Sequence, residues 1–205
     1  MYVSIALIVL AYVIGSIPFG LIIGKVFYRA DIREHGSKNI GATNAYRTLG
    51  LVAGISVLLA DFLKGFVPVL LAKSIVRPDL IPLVGVLTGI AAIAGHSYSI
   101  FLRFSGGKSI STAAGFIFAL WPVVLISLLL IWIVIVAVTR YVSVASIVVA
   151  VMLPILVTII YPRTEYTILT IIVAILLVYR HRSNIARLLA GNELKIGQKP
   201  SVEED

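Results

Sequence analysis

The chain alternates long apolar stretches with short polar connectors. A helix rises about 1.5 Å per residue, so crossing roughly 30 Å of hydrocarbon takes about 20 residues. The stretches 2–24, 49–72, 80–102 and 142–160 reach that length, and 165–179 comes close. The stretch 113–138 is interrupted by Trp121-Pro122, and proline both ends a helix and commonly opens the next. Five basic residues lie in 25–48, two in 73–79, two in 103–112, one each at Arg140 and Arg163, and five from 180 onward. A single crossing by 113–138 would place the richest connector and the basic tail on opposite faces, against the tendency of Lys and Arg to stay cytoplasmic. A reversal at Trp121-Pro122, with roughly 107–120 going out and 122–138 returning, brings 25–48, 103–112, Arg140 and the tail to one face.

The pattern therefore predicts an all-α integral membrane protein of seven transmembrane helices, N-terminus outside and C-terminus cytoplasmic. The fourth helix is short and starts at a glycine-rich loop. Residues 1–205 read as a single polytopic domain whose segment 180–205 is a cytoplasmic tail. Met1 to Gly24 has no Lys or Arg and is followed by Lys25 and Arg29, the reverse of a cleaved secretory signal, so it reads as a retained first helix.

Composition agrees. Apolar residues make up 60% and charged residues 13% of the chain, against about 45–50% and about 25% in soluble domains. Lys and Arg outnumber Asp and Glu by 17 to 9, which suits a phosphate-bearing partner or anionic lipid. No extended basic face is available for nucleic acid. With no cysteine, thiolate catalysis, zinc-thiolate sites and iron-sulfur clusters are excluded.

Four polar islands interrupt the cytoplasmic side. The first runs Gly36-Ser37-Lys38-Asn39-Ile40-Gly41-Ala42-Thr43-Asn44-Ala45-Tyr46-Arg47. Small residues let backbone N–H groups approach an anion, hydroxyl and amide groups add donors, and Arg47 can grip two phosphate oxygens. The second, Phe104-Ser105-Gly106-Gly107-Lys108-Ser109-Ile110-Ser111-Thr112, opens the short helix, where unpaired N–H groups, the macrodipole and Lys108 favour an anion. It is not a nucleotide P-loop, because Leu102 stands where the first glycine belongs. The two islands share a Gly, a Lys and an Ile at the same spacing, in 36–40 and 106–110. The third holds Ser143 and Ser146 on one helical face, placed either to meet a ligand or to pair helices. The fourth is Arg180-His181-Arg182-Ser183-Asn184-Ile185-Ala186-Arg187-Leu188 with Gly191-Asn192-Glu193 beyond. A tail that needs only charge has no use for Asn184, Gly191 or Glu193.

Asp61 and Lys64, three apart within the second span, read as a structural ion pair with Lys64 snorkelling toward the outer surface, and His96 as a packing residue. No Gly-x-Ser-x-Gly elbow, His-Glu-x-x-His motif or acidic metal cluster occurs. Five residues after the three histidines stand Ile40, Phe101 and Ala186, so the His-four-Asp dyad of many acyltransferases is missing.

The segments GSKNIGATNAYR, DFLKG, GHSYSIFLRFSGGKS and HRSNIARLLAGNE together resemble the bacterial membrane glycerol-3-phosphate acyltransferases that draw on acyl-phosphate. The resemblance covers nearly the whole chain. It implies transfer of a fatty acyl group to the sn-1 hydroxyl of glycerol 3-phosphate at the inner face of the bacterial plasma membrane, yielding 1-acyl-glycerol 3-phosphate and phosphate. By these motifs Ser37, Asn39, Thr43, Asn44 and Arg47 form a first binding loop, Gly106, Gly107 and Lys108 the acyl-phosphate loop, and His181 and Asn184 a third element. Ser143, Ser146 and Arg187 are further expected binding residues, and Lys108, His181, Asn184 and Arg47 are expected to be catalytic. The family's glycine loop usually reads GGKG followed by Ala-Thr, whereas this chain has Lys108-Ser109-Ile110-Ser111-Thr112.

Two phosphorylated substrates account for several donor clusters. The mixed anhydride's leaving group departs as a stable anion, so the demands are alignment, a place for the hydroxyl proton and donors for the oxyanion. Substrate-assisted proton transfer is favoured, with His181 and Asn184 positioning glycerol phosphate and the acyl tail in a gap between helices. No metal, cofactor or obligate protein partner is implied; the partners are glycerol 3-phosphate, acyl-phosphate and membrane lipid. The alternatives are a transporter or channel for a phosphate-bearing solute, and a polyisoprenyl-phosphate phosphatase.

Overall fold

Each apolar stretch folds as helix in the computed structural model, which describes residues 1–198; the remainder of the expected tail, from Lys199, lies outside the described residues. The α-helices are α1 (Tyr2–Ser16), α2 (Phe19–Tyr28), α3 (Ala42–Leu49), α4 (Leu51–Ile75), α5 (Ile81–Ser97), α6 (Ile110–Leu120), α7 (Pro122–Thr139), α8 (Val142–Ile160), α9 (Thr164–Arg180) and α10 (Arg182–Leu189). Among the described residues the only β pairing is an isolated bridge between Ser99 and Ser105. Tyr2–Tyr28, Leu51–Ile75, Pro78–Ser97, Pro122–Thr139 and Val142–Ile160 are each long and apolar enough to cross a membrane. A bent sixth unit comprises α9 and α10, which meet at 53°, and α6 is apolar but only 11 residues long. The many exposed Leu, Ile and Val side chains of α7, among them Val123, Leu130 and Val138, have lipid as their natural solvent. The molecule is an integral membrane protein.

The first stretch is not one helix. Pro18 has no N–H to give, and the helix stops at Ser16 and restarts at Phe19. Lys64 reaches this break: its Nζ donates to the Ile17 carbonyl at 3.0 Å and lies 2.7 Å from Asp61 Oδ1. Lys64 is therefore buried, not snorkelling as expected. The short helix also begins later than the glycines, at Ile110, and α5 ends at Ser97, leaving Ile100–Leu102 as a single 3₁₀ turn. At the expected break α6 gives way to α7 through Trp121, which is buried edge-on against Phe116 and Tyr166 at centroid distances of 5.6 and 4.9 Å.

Small residues set the helix spacing. On the α4–α6 contact a Cβ at Gly65 would strike the Thr112 carbonyl, and one at Gly115 the Phe62 carbonyl. Gly15 and Gly95 do the same between α1 and α5. Such close approach is how membrane helices gain van der Waals contact without a hydrophobic drive between them. Because the obstacle at Gly65 is backbone, Gly65→Ala is expected to cost about 1–3 kcal/mol, read as a lower thermal midpoint of purified protein in detergent. An unchanged midpoint would contradict the contact.

Candidate active site

The first island is held by one amide. Asn44 Nδ2 donates to the carbonyls of Ile32 (2.7 Å), Asn39 (2.8 Å) and His35 (3.2 Å), while its Oδ1 accepts the Ser37 N–H at 2.8 Å. Asn44 lines the cavity described next, but it is buried with every polar atom engaged in building the loop. The loop turns Ser37, Asn39 and Thr43 toward a cavity of about 190 Å³, and α3 adds Arg47. One Arg47 nitrogen donates to the Leu194 carbonyl at 2.9 Å, while its Nε is buried and unpartnered.

The second island delivers Lys108 to the same cavity, but by different means from those expected. The Gly107 N–H donates to the His96 carbonyl at 3.0 Å, and the carbonyls of Gly106 and Gly107 accept from Arg180. Neither glycine lines the cavity. Their absent side chains make room for His96, since a Cβ at Gly107 would overlap its ring and one at Gly106 its carbonyl. Ser109, in place of the glycine expected there, takes a left-handed φ of +61° and is anchored through Oγ to Ser97 Oγ (2.7 Å) and the Ile93 carbonyl (3.0 Å). Beyond it the N–H groups of Ile110, Ser111 and Thr112 have no partner one turn back in the helix. Burial, with Arg187 nearby, pushes the Lys108 amine down to about 8. Among the described residues neither Lys108 nor Arg47 has a carboxylate at ion-pair distance.

From the third island Ser143 brings a buried hydroxyl to the cavity beside Glu193, whose carboxyl pKa it helps to hold down. Ser146 lines the cavity, but its hydroxyl donates to the Val142 carbonyl at 2.8 Å, so it serves its own helix. In the fourth island His181 Nδ1 lies 2.7 Å from the Leu177 carbonyl. A carbonyl can only accept, so Nδ1 carries the proton and Nε2 is left as a bare acceptor. Burial pushes the His181 pKa down to about 4, with the nearby Lys108 adding to the fall, so the ring is neutral. Asn184 Nδ2 donates to Glu193 Oε1 at 2.6 Å, leaving its Oδ1 buried and unpartnered. Arg187 donates to the other Glu193 oxygen at 2.7 Å and faces a neighbouring recess with Lys38 and Asn192 instead of the cavity itself.

Four residues were given no part in the site by the sequence reading. Glu193 braces Asn184 and Arg187, Arg180 carries the glycine loop, and Asp61 with His96 reaches the cavity floor, His96 Nδ1 lying 3.5 Å from Asp61 Oδ1. Glu193 was among the residues a tail needing only charge has no use for, Asp61 beside Lys64 was an intramembrane charge, and Arg180 read as one more basic residue of the tail. No group of His, Asp or Glu among the described residues could hold a metal ion. A second, apolar slot of about 230 Å³ runs between α6, α7 and α8 and shares Leu58, Ile110, Ser111 and Trp132 with the polar cavity.

A membrane helix bundle that opens a polar bowl bearing Arg47 and Lys108 onto an apolar slot has the build of a membrane-embedded enzyme. The profile of the glycerol-3-phosphate acyltransferase family matches residues 5–191, and the chain belongs to that family. The glycerol-3-phosphate acyltransferase of Desulforamulus reducens is 48% identical, with 96% of each chain covered, and that of Fusobacterium nucleatum is 45% identical, covering 92% of this chain and 95% of the relative. Among solved structures, the glycerol 3-phosphate form of PlsY, an integral membrane glycerol 3-phosphate acyltransferase, superposes with a TM-score of 0.89 at 39% identity, covering 95% of this chain and 96% of PlsY. Its lysophosphatidic acid form gives 0.86 at 38%, covering 95% of each.

The scaffold role of Asn44 is testable. Asn44→Asp should lower the thermal midpoint in detergent as much as Asn44→Ala, because a carboxylate would face three carbonyl oxygens and each orphaned buried group costs about 1–3 kcal/mol. A stable Asn44→Asp protein impaired only in substrate affinity would make Asn44 a ligand after all.

Proposed function

We propose that the chain transfers a fatty acyl group from acyl-phosphate to the sn-1 hydroxyl of glycerol 3-phosphate, releasing 1-acyl-glycerol 3-phosphate and inorganic phosphate. The observation that carries this reading is the junction of bowl and slot at Ile110, Ser111 and Trp132. An acyl chain in the slot presents its carbonyl at that junction, with its phosphate in the bowl. The slot gives the tail a more defined seat than the gap between helices expected from sequence. Lys108 and the free N–H groups opening α6 face the donor's phosphate and the oxyanion, each well-aimed donor contributing about 2.7–4 kcal/mol. Arg47, Ser37 and Ser143 serve the glycerol phosphate.

In the reaction the glycerol oxygen bonds to the acyl carbon, and the acyl carbon–oxygen bond to phosphate breaks with its electron pair leaving on the phosphate. His181 is too weakly basic, at about 4, to hold the hydroxyl proton, whereas a phosphate monoester with a second pKa near about 6 is better matched. His181 Nε2 therefore orients the hydroxyl, and the substrate's own phosphate takes the proton. Neither acyl-enzyme nor metal is required. The same reading assigns seven crossings, an outside N-terminus and a bowl facing the cytoplasm of a bacterial inner membrane.

Purified protein mixed with palmitoyl-phosphate and glycerol 3-phosphate should release phosphate only when both are present. Release without the glycerol compound would mark a phosphatase, no release with measurable solute flux in vesicles a transporter, and equal activity with acyl-CoA would contradict the donor. Against pH, kcat/KM reports the free enzyme and should fall as pH rises through about 8, where Lys108 loses its charge. Lys108→Arg should carry that alkaline limb upward; an unmoved limb would remove Lys108 from the anion site.

A further inference from the structure

The loop that bears Lys108 is rich in glycine, so ordering it costs more backbone entropy than ordering most segments. Its hold on a fixed conformation comes from outside. On one side α5 supplies the His96 carbonyl for the Gly107 N–H, and Ser97 with Ile93 for Ser109. On the other side a single residue reaches in from α9: Arg180 Nε donates to the Gly107 carbonyl at 3.0 Å and Nη2 to the Gly106 carbonyl at 2.7 Å. Its guanidinium lies 5.1 Å from the centroid of the Tyr98 ring, and no carboxylate pairs with it among the described residues. A basic residue ending a membrane helix ordinarily turns to the headgroups. This one turns inward and spends its charge on two backbone carbonyls.

We infer that Arg180 is a positioning residue that locks the glycine loop to the start of the fourth island, fixing Lys108 relative to His181 and Asn184. The residue after Arg180 is His181, and both His181 and Asn184 line the cavity. One planar fork thus ties the donor half of the site to the acceptor half. The fork matters more than the charge, because an ammonium has no rigid pair of donors to span two successive carbonyls. The inference deepens the proposed function, since it rests on Lys108 serving the acyl donor.

The test uses full-length protein in detergent as Arg180→Ala, Arg180→Lys and Lys108→Ala. Misplacement by about 1 Å can cost about a hundredfold, so Arg180→Ala is expected to raise KM for palmitoyl-phosphate about ten- to hundredfold while KM for glycerol 3-phosphate stays within about threefold. Arg180→Lys should fall between. Amide hydrogen exchange at Gly107 should accelerate in both variants. Wild-type donor KM and wild-type exchange in Arg180→Ala, or full recovery by Arg180→Lys, would overturn the inference. Should Arg180→Ala fail to fold, Arg180→Lys decides alone: an intermediate donor KM supports the lock and a wild-type one refutes it. Lys108→Ala with an unchanged donor KM, alongside faster loop exchange in the Arg180 variants, would sink the donor-site reading and leave the lock standing.

Discussion

Unpaired positive charge kept beside an apolar bundle is the constraint on which the rest of this structure depends. A phosphate can be drawn from water only where charged donors await it, yet a buried cation without a partner is costly. Arg47 and Lys108 meet that demand with no carboxylate at ion-pair distance among the described residues. The depressed amine of Lys108 measures the tension, because burial favours its neutral form. A bound anion would relieve it. The neighbourhood is accordingly built from neutral or internally balanced groups: Asn44 organises one loop through carbonyls, and Glu193 is shared between Asn184 and Arg187. For Glu193, burial alone would raise the carboxyl pKa, but the Asn184, Ser143 and Arg187 side chains prevail and keep it ionised.

Asp61 and Lys64 show the opposite treatment of buried charge. They neutralise each other at 2.7 Å, and Lys64 uses a further proton to cover the carbonyl exposed by the Pro18 break. This pair links α4 to the α1–α2 junction, while Gly65 one residue on allows α6 to lie against α4. The buried charges of this pair are matched, whereas Arg47 and Lys108 at the cavity have no carboxylate at ion-pair distance among the described residues.

Much of this was legible in the sequence. The apolar stretches and the break at Trp121-Pro122 follow from composition and spacing, the family motifs from the resemblance, and Ser37, Asn39, Thr43, Arg47, Lys108, Ser143, His181 and Asn184 do line one cavity. What the sequence could not settle is the direction of small polar groups. An Asn in a tight loop binds a substrate or three carbonyls with the same atoms, and a Ser near a helix start donates to a ligand or to its own previous turn. Asn44 and Ser146 took the second course. The glycine pair was legible as a need for space, but whether anion or His96 fills that space depends on how α5 packs. Arg180 reads in sequence as an ordinary basic residue ending a span, because its targets are backbone carbonyls more than 70 positions away.

The length of α6 connects these points. Eleven residues make a helix of about 16 Å, roughly half the hydrocarbon thickness. Its first residues, Ile110 and Ser111, stand where the bowl meets the slot. A full-length helix would carry the same groups out to water, where a donor phosphate would be solvated and the carbonyl remote from its hydroxyl partner. On the proposed reading, shortening the helix sets the positive end of the dipole where the apolar slot meets the polar cavity, the place an acyl carbonyl would occupy. The remaining distance to the surface has to be filled by a non-helical loop, and non-helical backbone at that depth is tolerated only when protein satisfies its N–H and C=O groups. His96 and Arg180 supply those partners, so the loop's outside bonds are a consequence of the short helix as much as a refinement of the site.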